Sequence, residues 1–135
     1  MLTLTPYLSF SGNCADALEF YQKALGGEIV SKMTYGESGQ QVSAEHTNRI
    51  MHSEFKSEGI SFMACDAPSH QPFVQGSQIS LAIALNDTIV QDRIFQKLSV
   101  GGMVTMPLAD QFWGARFGMV LDRFGIHWML NCEKK

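Results

Sequence analysis

Hydrophobic and polar positions alternate along residues 4–10 (LTPYLSF). Leu8 and Phe10 point one way and Tyr7 and Ser9 the other, the pattern of a half-buried strand. Gly12 and Asn13 break it. Asn13 is a good helix N-cap, with Asp16 three residues on in the favourable field of the helix dipole. From 15 to 25 the apolar residues Ala17, Leu18, Tyr21, Ala24 and Leu25 recur at helical spacing. Gly26-Gly27 then stops the helix. A second strand is predicted over 28–35, and the polar stretch 36–48, with two glycines, predicts a long loop. Residues 49–56 and 60–65 predict a hairpin. Residues 66–77, with Pro68 and Pro72, read as a linker.

The pattern then restarts: a strand over 78–85, a helix over 87–100, a break at Gly101-Gly102, a strand over 103–107, and a closing hairpin of 117–122 and 126–131. YLSF at 7–10 matches SLAI at 80–83 in pattern, an offset of 73. Tyr21-Gln22-Lys23 matches Phe95-Gln96-Lys97 (offset 74), and Gly26-Gly27 matches Gly101-Gly102 (offset 75). The run from Gly59 to Met63 matches that from Gly125 to Met129 at an offset of 66, so the lost residues fall inside the loop 36–48. A repeat of this length means duplicated modules. The expected fold is α+β: one domain of two tandem βαβββ modules, 1–66 and 78–135. Each has a mixed sheet curved into a half-barrel cup, with its helix outside. Leu8, Phe10, Met51, Phe55, Ile60, Phe62, Leu81, Ile83, Ile126, Trp128 and Leu130 should face the helices. Tyr7, Ser9, His52, Glu54, Ser61, Met63, Cys65, Ser80, Ala82, His127, Met129 and Asn131 should line the cup, and mixed walls of this kind suit a small-molecule site.

Composition narrows the partners. The chain has 135 residues, 45% hydrophobic and 17% charged, with a net charge of −3. Its basic residues are scattered, with only Lys134 and Lys135 adjacent, which argues against nucleic acid. No apolar run approaches the ~18 residues of a membrane span, and the opening lacks the basic head of a secretory signal. Three cysteines (Cys14, Cys65 and Cys132) without a CxxC fit a reducing cytoplasm.

The opening PYLSFSGNCADALEFYQKALGGEI, the segment IMHSEFKSEGISFMACDA and the ending FWGARFGMVLDRFGIHWMLN together resemble the PhnB-like branch of the vicinal oxygen chelate superfamily. That superfamily includes glyoxalase I, extradiol dioxygenases and fosfomycin- and bleomycin-resistance proteins. The resemblance covers essentially the whole chain. It implies a homodimer with a pocket in each concave sheet. It also implies metal ligands on the first and last strand of each module, here Tyr7, Ser80, Met63 and Met129. None of these is a good ligand for a hard divalent ion; a slip in alignment would bring in Gln78. His52 and Glu54 share a strand face and, with His127, form the alternative ligand set. No cofactor is expected, and a divalent metal is the competing case. His46 and His70 lie in loops and read as surface residues. Cys65 could pair with His52 as a nucleophile, against the plainer reading of a small apolar filler. Some relatives are called methyltransferases, yet both glycine pairs follow helices instead of opening them, so no adenosyl-cofactor loop is expected.

Trp128 repeats Phe62 and belongs to the core. Phe112, Trp113 and Arg116 have no counterpart in the first module. The expected ligand pocket is therefore Tyr7, Ser9, His52, Glu54, Cys65, Phe112, Trp113 and Arg116, with the aromatics covering a ligand and Arg116 pairing with an anionic group. Three functions compete. One is a small-molecule-binding protein or cryptic enzyme working without metal. Another is a metal-dependent lyase, isomerase or dioxygenase. The last is a structural dimer with Phe112 and Trp113 in its interface.

Overall fold

A computed structural model describes residues 1–39, 42–68 and 72–133. His70, Lys134 and Lys135 lie outside the described residues. The chain divides into two compact units, Met1–Val74 and Gln75–Lys135. In the first, β1 (Tyr7–Phe10), α1 (Cys14–Leu25), β2 (Glu28–Thr34), β3 (Ile50–Ser57) and β4 (Ile60–Asp66) follow in order. In the second come β5 (Leu81–Leu85), α2 (Thr88–Ser99), β6 (Met103–Asp110), β7 (Ala115–Leu121) and β8 (His127–Glu133). Each unit is thus βαβββ, as the repeat predicts. The predicted loop over 36–48 contains one short 3-10 turn, Ala44–His46.

Both sheets are mixed and share one topology, β1-β4-β3-β2 and β5-β8-β7-β6, with the first strand parallel to the last. Register corrects the repeat on its first strand. Tyr7 pairs with Met63, whereas Met129, the repeat of Met63, pairs with Ala82. The counterpart of Tyr7 is therefore Ala82 and not Ser80, and the first-strand offset matches that of the glycine pairs. Gln78 and Ser80 precede the strand. A slip of two residues preserves alternation, so pattern alone could not detect it.

The helices lie on one face of each sheet. In the first unit α1 buries Cys14, Ala17, Leu18, Tyr21 and Ala24. Beneath it Phe55 and Phe62 stack with ring centroids 4.8 Å apart, and Tyr21 meets Phe62 edge-on at 5.7 Å. In the second unit Trp128, Leu130 and Val120 are buried with Ile94, Phe95 and Leu98 of α2.

The two helix starts differ. Asp87 caps α2 through its own side chain, accepting from the N–H groups of Ile89 (2.9 Å) and Val90 (3.3 Å). Asn13, the expected cap of α1, makes no side-chain cap bond. The buried Asp66 replaces it: Oδ1 accepts from the N–H groups of Gly12 and Cys14, both at 2.9 Å, and Oδ2 from that of Ile50 at 2.8 Å. A carboxylate from the end of β4 thereby ties the helix start to β3.

Among the described residues no helix is long and apolar enough to cross a membrane.

Candidate functional site

The face of the first sheet opposite α1 is half exposed and carries its polar residues. Strand register sets two rows across it. One row runs Tyr7, Met63, Glu54 and Ser31; the other runs Ser9 and Cys65 towards His52 and Met33. Tyr7 Oη lies 2.9 Å from His52 Nδ1, with the rings tilted at 5.7 Å. Ser9 Oγ lies 3.9 Å from Cys65 Sγ. Glu54 stays in solvent reach, with Lys56 Nζ 3.8 Å away. Burial, helped by the neighbouring Cys65, pushes the Tyr7 phenol up to about 12, so it keeps its proton at neutral pH. Which of the two groups donates in this bond depends on the imidazole tautomer. Burial also raises Tyr35, whose hydroxyl donates to the Asp66 carbonyl at 2.9 Å.

The corresponding face of the second sheet is mostly apolar. Ala82 and Ala84 of β5, Met129 and Asn131 of β8, and Phe117, Met119 and Leu121 of β7 share it, with His127 at one end. Trp113 reaches this face from the turn between β6 and β7. Its indole N–H donates to Asn131 Oδ1 at 3.4 Å, and its ring meets Phe117 edge-on at 5.7 Å. Gly114 closes that turn at φ 89°, a conformation that favours glycine, with its N–H bonded to the Gln111 carbonyl at 3.1 Å. Phe112 stacks edge-on against Trp113 and is 97% exposed; Trp113 is 50% exposed.

Five of the expected pocket residues, Tyr7, Ser9, His52, Glu54 and Cys65, share one face of the first unit. Phe112 and Trp113 belong to the second. Arg116 falls on the other side of its sheet. It pairs across with the buried Cys132 and turns towards α2, donating to Asp92 Oδ1 (2.8 Å) and Gln91 Oε1 (3.1 Å). The buried Gln91 in turn donates to the carbonyls of Arg116 (2.8 Å) and Leu130 (3.3 Å). Arg116 thus anchors a helix, because β7 starts at Ala115 and draws it into the ladder. The sequence reading left Met33 and Phe117 out of the candidate set. Alternation along β7 puts Phe117 on its face, whereas Met33 reaches the first face only because β2 bulges between Ile29 and Ser31, which simple alternation from Glu28 does not reveal.

At the positions where the resemblance implies metal ligands, register sets Tyr7 beside Met63 and Ala82 beside Met129. Phenol, thioether and methyl groups do not suit a hard divalent ion. His52 and Glu54 sit in one unit and His127 in the other. Among the described residues no group of three His, Cys, Asp or Glu side chains is arranged to hold a metal.

Tandem βαβββ units define the class. Glyoxalase/bleomycin resistance/dioxygenase structures from Nocardioides and Frankia sp. EAN1pec share the fold at TM-scores of 0.59 and 0.69, with 18% and 11% identity. Within that class the chain belongs to the PhnB-like family, whose model, described as 3-demethylubiquinone-9 3-methyltransferase, matches residues 3–131. The resemblance drawn from the sequence is borne out. The chain is 34% identical to the protein YjdN of Escherichia coli, over 99% of this chain and 97% of YjdN. It is similar to the crystal structure of protein PA1353 from Pseudomonas aeruginosa, with a TM-score of 0.92, 35% identity and full coverage of both chains. A PhnB protein from Bacillus cereus matches with a TM-score of 0.82 and 28% identity, over 97% of this chain and 99% of that one.

Proposed function

We propose that this chain is a small-molecule-binding protein of the vicinal oxygen chelate superfamily. Its ligand lies against Tyr7, Ser9, His52, Glu54 and Cys65 and is held without the superfamily's divalent metal. The observation that carries this reading is the Tyr7–His52 bond of 2.9 Å between β1 and β3, on a sheet face that is only half exposed. A neutral phenol, an imidazole, a hydroxyl and a solvent-reachable carboxylate on one face can bond a polar ligand from several sides. Methyl transfer has no support in the residues. Gly26-Gly27 and Gly101-Gly102 follow α1 and α2, and neither pair opens a helix for a nucleotide-like cofactor. Three free thiols fit a reducing cytoplasm.

The test is mass spectrometry of small molecules released from the purified chain, compared with the double variant Tyr7→Phe, His52→Phe. A metabolite present in the parent and absent from a variant with unchanged circular dichroism is expected. Equal retention by the variant would sink the reading.

A second reading, a homodimer built on Phe112 and Trp113, is favoured by the 97% exposure of Phe112, since aromatics of this size are enriched at interface centres. Sedimentation of Trp113→Ala should then give monomers where the parent gives dimers. A parent that sediments as a monomer ends it.

A further inference from the structure

The open face of the first unit gathers three soft sulfur donors and one imidazole, and no metal chemistry has been assigned to them as a set. Met33 pairs across with His52. The β3–β4 register, Glu54 with Met63 and Ser53 with Ala64, continues by one step to set His52 opposite Cys65. Met63 stands two residues before Cys65 on β4 and shares its face. Cross-strand neighbours on one face have Cβ atoms roughly 5 Å apart, close enough for a thiolate and an imidazole to reach a common ion. Two contacts fix the side-chain directions. Cys65 Sγ lies 3.9 Å from Ser9 Oγ, and His52 Nδ1 lies 2.9 Å from Tyr7 Oη, so both donors turn to the open side around Tyr7. The site is reachable: Cys65 and His52 are half-buried and Met33 is 43% exposed, whereas Cys14 and Cys132 are buried. Thiolate and thioether donors select soft ions over hard divalent ones. A monovalent soft ion needs fewer strong donors than the three or four of a structural zinc site.

We propose that this face binds one soft monovalent cation of the copper(I) or silver(I) class, through Cys65 Sγ and an imidazole nitrogen of His52, with the Met63 and Met33 thioethers completing the shell. The thiol proton leaves to solvent as the sulfur–metal bond forms, and no electron is transferred. The inference does not rest on the small-molecule reading and survives its failure.

The test is anaerobic competition for copper(I) between the full chain and a bathocuproine chelator, repeated with silver(I) by calorimetry. One equivalent should bind. Cys65→Ser should weaken it on the order of 100-fold, and Met63→Leu or Met33→Leu roughly 3- to 10-fold. Cys14→Ala should leave it unchanged. Undiminished binding by Cys65→Ser, failure to compete with the chelator, or tighter binding of zinc(II) than copper(I) would each overturn the proposal. Should Cys65→Ser misfold, alkylation of the parent decides. One equivalent of silver(I) should protect Cys65 from iodoacetamide, and unchanged labelling refutes the site.

Discussion

The two units share one topology, and the open faces of their sheets carry opposite chemistry. Where the first unit has Tyr7, Ser9 and Cys65, the second has Ala82, Ala84 and Asn131 at the same register positions. Where the first has His52 and Glu54 on β3, the second has Phe117 and Met119 on β7. The helix sides differ in a complementary way. The first unit packs aromatic rings under α1 and ties the helix start down with the buried Asp66. The second places Cys132 at that strand position and ties its helix through Gln91 and Arg116. A duplicated fold therefore keeps its frame with two unrelated anchors, and its two open faces differ independently, one polar and the other mostly apolar.

The anchors give the largest expected effects. Asp66→Ala leaves three backbone N–H groups without their acceptor in a buried place, which should cost about 4 kcal/mol. The measurement is urea unfolding with an unchanged m-value. Gln91→Ala removes two bonds to carbonyls and strands the Arg116 guanidinium from one of its acceptors. That should cost about 2–3 kcal/mol in the same experiment. A reversed order would mean that the second unit, and not the first, depends on its polar anchor.

Element order and most boundaries were legible because each module repeats strand alternation, helical spacing and a glycine stop. Three features were not. The first-strand offset hid behind the period of two. The cap of α1 comes from Asp66, 52 residues beyond Cys14 along the chain, and local capping rules see only Asn13. Arg116 looked like part of the Trp113 loop because the strand was predicted to start at 117. Starting at Ala115 puts it on the helix side. The polar row of the first face was legible from alternation. The bond joining Tyr7 to His52 was not, since it crosses from β1 to β3 over the intervening β4.

Alkaline pH should separate the units next. Burial, with Asp66 nearby, pushes the Cys14 thiol from 9.0 up to about 12, and Tyr7 rises from 10.0 to about 12. Both groups lie in the first unit. Each keeps its proton in the folded chain over a range where the unfolded chain has lost it. Their contribution is thus fully present below pH 9 and is lost as pH climbs towards 12. Chemical unfolding at stepped pH should show stability falling through that window, with a shallower slope in Cys14→Ala. An identical slope in that variant would place the alkaline weakness elsewhere.

The smallest effect on stability is the most informative about function. His52→Phe copies the residue that the second unit carries at Phe117. It gives up one partly exposed hydrogen bond, worth roughly 1 kcal/mol. It exchanges the imidazole beside Tyr7 for a larger apolar ring, whose packing is worth a similar amount when rings meet across strands. The two nearly cancel, so urea unfolding should shift by less than about 1 kcal/mol. A shift that small would support the proposed ligand-binding role of this half-exposed face. If His52→Phe instead costs as much as Gln91→Ala, the polar row is a structural brace, and the contrast between the two faces records two ways of packing one sheet.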